Sequence, residues 1–365
     1  EKIIARAGGT WNAFTYLDWT TYYETMPADK IDQALVIEAD RMVNSLFTAE
    51  EVESERTVIM SERQGRENQP SFWLTEAIHK AAFQIHSYGH VILGDMIDLE
   101  TMQRDDLFQH YKTFYAPNNA VLTIAGDFKT ENLLPRLKEL FGDLPAADNP
   151  PRVNRPEPAQ RGEHQLTVEG PGDTVLCDVA YHAPPASHND FFPLLILDSI
   201  LSGPQGLNMF GGGGISNKTS RLYNKMVEEE EVAVSVSGGL PATIEPYLYS
   251  THMIIHPSSS PKEALRVLDG EILRLQDSAP DQEELERAAW QARALFAYGG
   301  ESITNQAFWM GFSEMFASYD WVTGYLDNLE KVTPDDVQRV AQNYLTPKNR
   351  IVGIYQPHNK GNNRS

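Results

Sequence analysis

At 365 residues, with 41% hydrophobic and 10% aromatic residues, the chain can bury a substantial core and has the length of about two domains. Thirty basic against 51 acidic residues leave a formal charge of −21, which repels nucleic acid and favours cationic partners. No run approaches the roughly 18 consecutive apolar residues that span a bilayer, so no transmembrane helix is expected. The chain begins at Glu1 inside what reads as a helix, so a signal peptide upstream would be invisible and the compartment is not legible.

In chain order, the first elements are a strand pair over Trp11 to Met26 and a helix over Ala28 to Asn44. Thr48 with Glu51 three residues on forms a capping box, which starts the next helix. On it Val52, Glu55, Ile59 and Glu62 fall at i, i+3, i+7 and i+10, one face, so two carboxylates share a stripe with apolar residues. If that stripe is buried, each carboxylate needs a metal, an arginine or a proton, because an unpaired buried charge costs several kcal/mol. His86 and His90 are four apart, but Gly89 intervenes and no third ligand is near, so a turn is expected there.

Arg104 to Leu107 should open a helix with acidic residues in its first turn, followed by the turn Tyr115-Ala-Pro117-Asn-Asn119 and a buried strand Val121 to Ile124. The stretch Leu144 to Gly162 carries Pro145, Pro150, Pro151, Pro156 and Pro158 without hydrophobic periodicity, and reads as a linker. Cys177, the only cysteine, lies in the alternating run Thr174 to Tyr181 and is expected to be half buried in a strand. An intramolecular disulfide and a cysteine-based metal site are thereby excluded. Phe210-Gly-Gly-Gly-Gly214-Ile-Ser-Asn-Lys218-Thr219 breaks the spacing of a phosphate-binding loop and reads as a loop. His252 and His256 lie in an alternating run, where four-residue spacing separates them by roughly 13 Å, too far to chelate one ion.

The end of the chain repeats the earlier segment without a gap: Pro334-Asp-Asp-Val337, Leu345-Thr-Pro-Lys-Asn349 and Ile351-Val-Gly-Ile354 match Arg104 to Ile124. Asp105, Asp106, Pro117 and Asn119 recur as Asp335, Asp336, Pro347 and Asn349. Upstream of each copy the order strand pair, then helix, also agrees: Val232 to His256 and Pro261 to Gln276 answer Trp11 to Asn44. The expected fold is therefore α+β, two similar halves related by internal duplication, each an antiparallel-rich sheet with helices on one face. Residues 1–144 form the N-terminal half, 145–162 the linker and 163–365 the C-terminal half.

The run Gly8-Gly9-Thr-Trp-Asn12-Ala13-Phe-Thr15, with Asp18, Tyr22-Tyr23 and Pro27-Ala-Asp29, resembles the inverzincin family of insulinase, pitrilysin and mitochondrial processing peptidase. The resemblance continues through Glu55-Arg-x-Val58, Ser61-Glu62-Arg63, His86-Ser-Tyr88-Gly-His90 with Gly94, Tyr115 to Ala120, and Thr219-Ser-Arg-Leu-Tyr223, nearly the whole chain. It implies a zinc metalloendopeptidase that hydrolyses unfolded peptides in a chamber between two halves. In that family a His-x-x-Glu-His helix supplies two histidine ligands and the water-activating glutamate. By resemblance Glu62 is the third protein ligand of Zn2+ and Glu55 its supporting neighbour, while Asn12, Ala13 and Phe14 lie on an edge strand that binds the substrate peptide.

None of the ten histidines lies in His-x-x-Glu-His, and family spacing puts that motif on the order of 15 residues before Glu1, so the chain alone is not expected to be a complete catalyst. The resemblance also implies an arginine and, seven residues on, a substrate-binding tyrosine after Ser220-Arg-Leu-Tyr223; here those positions hold Val227 and Val234. This pattern fits the zinc-bearing chain of a two-subunit enzyme whose homologous sister subunit carries the Arg/Tyr pair. The alternative is a non-catalytic peptide-binding or core partner subunit of the same family.

Overall fold

The computed structural model describes residues 2–151, 155–204 and 216–358. In chain order its elements open with α1 (Lys2–Arg6), β1 (Thr10–Thr15), β2 (Thr20–Thr25), α2 (Ile31–Asn44), α3 (Ala49–Glu67) and α4 (Pro70–Ala82). There follow α5 (Met96–Thr101), α6 (Arg104–Phe114), α7 (Thr130–Phe141), β3 (His164–Gly170), β4 (Leu176–Ala183) and α8 (Phe191–Leu201). The remainder is β5 (Ala233–Gly239), β6 (Tyr247–Ile255), α9 (Pro261–Asp277), α10 (Gln282–Gly299), α11 (Ile303–Phe316), α12 (Tyr319–Thr323), α13 (Tyr325–Glu330), α14 (Pro334–Tyr344) and β7 (Arg350–Pro357). The fold is α+β, and no helix among the described residues is long and apolar enough to cross a membrane.

The chain divides into two compact units, Glu1–Gln64 with Ile92–Asn154 and Glu301–Met315, and Gly65–Val91 with Arg155–Gly300 and Phe316–Ser365, in each case over the described residues. Both units draw on both parts of the sequence, since α4 joins the second unit and most of α11 the first. In the first unit the hairpin β1–β2 packs through Phe14 and Trp19 against Phe308 and Phe312 of α11, with ring centroids 4.9–5.8 Å apart. These rings give the hairpin apolar packing that a two-stranded ribbon, marginal alone, lacks by itself.

The second unit is built on a five-stranded sheet of order β3-β7-β4-β6-β5, parallel only between β3 and β7. Two glycines identify what covers its faces. A Cβ on Gly353 would meet Leu74 and Ile78 of α4, whereas one on Gly238 would meet Asp198 of α8 and Ser202 just after it. Gly353 is in register with Asp178, Asp178 with His252, and His252 with Ser237, the neighbour of Gly238; alternation then puts α4 and α8 on opposite faces. Helices α8 and α14 of the C-terminal half thus share one face, and the Leu74–Ile78–Ala82 stripe of α4 covers part of the other. Helix α8, Phe-Phe-Pro-Leu-Leu-Ile-Leu-Asp-Ser-Ile-Leu, is apolar nearly all round and is buried nearly all round, as such a helix must be.

Cys177 lies in central β4 and is completely buried, more than its alternating neighbours led us to expect, because both faces of that strand are covered. Burial, aided by the charge of Asp178 and opposed by Arg350, pushes its thiol up to about 12, so it is an inert core residue.

The two repeats share more than sequence. Asp106 accepts from the backbone N–H of Gln103 at 2.8 Å and Asp336 from that of Thr333 at 3.1 Å, so the same acid caps α6 and α14. After each helix a 3₁₀ turn follows, Pro117–Asn119 or Pro347–Asn349, and the amide of Asn119 donates to Phe114 O at 2.9 Å as that of Asn349 donates to Tyr344 O at 2.8 Å. Both recurring asparagines thus brace the turn with the same bond. The copies then diverge. Residues after Asn349 form β7, flanked by β3 and β4, but Val121 to Ile124, expected to be a buried strand, pairs with no described strand, and Val121 and Leu122 are exposed. A strand requires a hydrogen-bonded neighbour, and the local pattern alone does not supply one.

The proline-rich stretch from Leu144 to Gly162 has no helix or strand among its described residues. It is nonetheless fixed at Glu157, whose carboxylate accepts the backbone N–H groups of Gln84, Ile85 and His86 at 2.8–3.0 Å. The cost of burying that carboxyl is outweighed by these three donors, which hold it below the usual carboxylate range.

Candidate functional site

The hairpin β1–β2 decides which backbone groups are available to a ligand. Tyr16 N–H donates to Trp19 O at 2.9 Å across the two-residue turn, so Tyr16 and Trp19 are a hydrogen-bonded pair. Alternation then makes Thr15/Thr20, Ala13/Tyr22 and Trp11/Glu24 the non-hydrogen-bonded pairs. The Thr15 and Thr20 hydroxyls, in contact at 3.2 Å, fit the closer approach of such a pair. Trp11, Ala13 and Thr15 therefore turn their N–H and C=O groups away from β2, toward an edge that no described strand covers.

The three residues assigned to substrate binding fall into different positions on this edge. Ala13 presents its N–H outward, where the side-chain oxygen of Asn12 accepts it at 2.8 Å. Asn12 thus caps an edge donor that would otherwise be open. Phe14 pairs with Thr21 inside the ladder, and its ring lies among Trp19, Tyr23 and Phe308, so it anchors the strand rather than standing at the edge.

Behind the hairpin lies a group of residues that the sequence reading did not single out. Glu24 of β2 lies beside Glu38 of α2, Glu38 forms an ion pair with Arg41, and Arg41 stacks 3.5 Å above the ring of Tyr22, whose hydroxyl meets that of Tyr115 at 3.2 Å. Burial, then the hydrogen bond and charge of Glu38, push the Glu24 carboxyl up to about 8 against the opposing pull of Arg41. The Glu24 carboxyl therefore keeps its proton at neutral pH. The Glu38–Arg41 spacing on a helix was a visible signal for one pair, but the cross-element contact to Glu24 was not.

Helix α3 begins after Thr48 as expected, and Thr48 and Glu51 exchange the capping hydrogen bonds at 3.3 Å. Its buried face differs from the one expected. Val52 and Arg63 are buried, and Arg56 and Arg63 donate to the carbonyls of Met102 and Gly94, so the packing stripe is rotated toward the arginines. Glu55 and Glu62 are exposed, together with Val58 and Ile59. Sharing a face with Val52 did not bury them, because a helix buries the side its neighbours touch and the arginine stems cover that side here. The inference that these carboxylates must pay for burial accordingly does not hold.

Among the described residues no three His, Cys, Asp or Glu side chains come together as a metal site. One carboxylate from α3 is insufficient for zinc, which takes three protein ligands even in open sites. The described residues therefore do not by themselves fit the metal.

In the second unit, Val227 lies in the π-helical segment Tyr223–Glu229 and Val234 in β5, at a bulge between Ala233 and Ser235. Val234 is exposed. Arg221, just before the π-helical segment, is held by both oxygens of Glu284 at 2.8 and 2.5 Å. The glycine-rich run from Phe210 lies outside the described residues as far as Ile215. His86 accepts from Tyr88 N–H at 3.2 Å within a 3₁₀ turn, the turn role expected of it.

Comparison with known proteins agrees along the whole chain. A family profile described as Insulinase (Peptidase family M16) matches residues 1–96, and one described as Peptidase M16 inactive domain matches residues 101–292. A mitochondrial-processing peptidase subunit beta of Lentinula edodes is 25% identical over 360 residues, 97% of this chain and 76% of that protein. A zinc protease of Helicobacter pylori is 24% identical over 361 residues, 94% of this chain and 76% of that protein. In fold, the crystal structure of a protease from Helicobacter pylori superposes with a TM-score of 0.90 at 22% identity, covering 98% of this chain and 84% of that one. With both consecutive profiles matched and the fold shared, the chain belongs to the insulinase family, peptidase family M16.

Proposed function

We propose that the chain binds extended peptides by strand addition along β1 and serves as part of a zinc-dependent metalloendopeptidase. The observation that carries the peptide-binding reading is the uncovered row of outward backbone groups at Trp11, Ala13 and Thr15. A peptide strand would take the Ala13 N–H from Asn12 and find a carbonyl beside it. In this reading residues 1–144 and 163–365 are two homologous halves joined by 145–162, and Glu62 contributes one zinc ligand with Glu55 beside it. None of the 365 residues forms His-x-x-Glu-His, so no hydrolytic step is assigned to the residues described.

Metal analysis tests the zinc assignment. With the residues naturally preceding Glu1 restored, the protein should bind one zinc; Glu62→Gln should remove most of it, and Glu55→Gln should cost about 10- to 100-fold in affinity or activity. Undiminished zinc in the Glu62→Gln protein would refute the ligand role. The exposure of Glu55 and Glu62 favours a second reading, a non-catalytic peptide-binding subunit, and that reading wins if the restored protein binds peptides but no zinc.

Val227 and Val234 support a division of labour with a homologous sister chain, since valine can neither donate to a peptide carbonyl nor stabilise an oxyanion. The name subunit beta carried by a relative is in keeping with such a partner. The restored chain should cleave peptides poorly alone and well with a co-expressed sister chain bearing the Arg/Tyr pair. Full activity of the purified chain alone would dispose of the partner.

A further inference from the structure

Three polar residues stand in one row across the five-stranded sheet. His252 of β6 is in register with Asp178 of β4 on one side and with Ser237 of β5 on the other, so all three side chains leave the sheet on the same face, that opposite α8. Directly opposed residues in adjacent antiparallel strands have Cβ atoms about 4.5–5.5 Å apart. Asp178 is buried, and its Oδ2 lies 2.9 Å from His252 Nδ1. The His252 side chain is 52% exposed, and Ser235, Ser237 and Ile254 around it are exposed as well. With Nδ1 committed to Asp178, the ring orientation is fixed and Nε2 makes no hydrogen bond among the described residues. Val234, exposed at the bulge, adjoins Ser235 on β5.

We propose that His252, positioned by Asp178, is a peptide-binding residue whose Nε2–H donates to a backbone carbonyl oxygen of an extended peptide lying over β5 and β6, with the Ser237 hydroxyl as a second donor. The proposal rests on the reading that the chain binds peptides. A metal ion is a poorer occupant, because among the described residues the row offers one imidazole and no third His, Cys, Asp or Glu. A carboxylate is a poorer occupant too, because a protein of charge −21 repels anions. A neutral carbonyl pays neither cost, and a hydrogen bond from a charged donor is among the stronger ones.

The charged groups that bear on the ring are Asp178 beside it and Asp198 of α8 across the sheet, while β5 offers only serines. Burial lowers the imidazole pKa, but the hydrogen bond and charge of Asp178 and the charge of Asp198 outweigh it, so the ring stays protonated to higher pH than an ordinary histidine. Peptide affinity should accordingly be full at low pH and fall as pH rises through that raised pKa.

The test is fluorescence anisotropy of a short, uncharged, dye-labelled peptide against the 365-residue chain over a pH series, with the ring C–H signals of His252 followed by NMR. His252→Ala should weaken binding about tenfold at low pH, the worth of one charge-assisted hydrogen bond. His252→Gln keeps a neutral donor and should restore part of the affinity with no pH dependence. Asp178→Asn should move both the NMR midpoint and the binding midpoint to lower pH; if that variant does not fold, the His252→Gln profile carries the test. His252→Ala with unchanged affinity and unchanged pH profile overturns the proposal, and if Ala13→Pro still abolishes binding in the same assay, peptide binding at β1 survives it. A wild-type chain that binds no peptide at any pH overturns both.

Discussion

Replacing Asp198 by asparagine should stabilise the protein above about pH 8 and change little below about pH 4. Asp198 sits in the apolar helix α8, 1% exposed, with neither carboxyl oxygen in good hydrogen-bond geometry to a donor among the described residues. Burial pushes its carboxyl from 3.8 up to about 7, although the nearby Tyr249 and Ser202 hydroxyls and His252 pull it down. The folded state thus holds this proton more tightly than the unfolded chain does. Its contribution is complete below the unfolded value of 3.8, declines as pH rises, and is gone above about 7. A shift of that size corresponds to on the order of 4 kcal/mol. Asparagine has nearly the same shape and no charge to desolvate, so the difference between variant and wild-type stability, measured by urea unfolding across the pH range, should grow from near zero to that order. Parallel stability curves for the two proteins would show that Asp198 is ionised at no cost in the fold.

The second large effect is expected at the hairpin edge. Ala13→Pro removes the outward N–H and puts a ring where an incoming peptide strand would lie, so peptide binding should fall by at least about tenfold. The strand itself should survive, because proline is tolerated on an edge strand where its missing N–H points away from the neighbour. Asn12→Ala gives the opposite sign. It frees the Ala13 N–H from its intramolecular acceptor and should tighten binding by a fewfold, whereas a direct contact between Asn12 and the peptide would make the same change weaken it. Peptide titrations of both variants with unaltered affinity would remove β1 as the binding edge.

The sequence made local features legible. The capping acids Glu51, Asp106 and Asp336, the Pro-Asn turns and the β1–β2 hairpin depend on residues a few positions apart, and each is found where the pattern put it. Features that require a distant partner were not legible. The alternating run put His252 in a strand, which is β6, yet the partners that give His252 its character are Asp178 and Ser237, on strands that only pairing brings alongside. Glu24 and Glu38, on β2 and α2, become neighbours only where the hairpin meets α2.

By itself, then, the sequence determined the family, the α+β class, the internal repeat and the position of the first strand pair, because motif residues, turns and caps act through short-range sterics and hydrogen bonds. Tertiary structure alone decided which face of α3 is buried, whether the residues after each Pro-Asn turn become a strand, and which acids lose their water. Each of those outcomes depends on what packs against a surface. The side of α3 that touches neighbours is the one lined by Arg56 and Arg63, so Glu55 and Glu62 stay in solvent. The residues after Asn349 become β7 because β3 and β4 flank them, and Asp198 is enclosed by an apolar helix and the sheet.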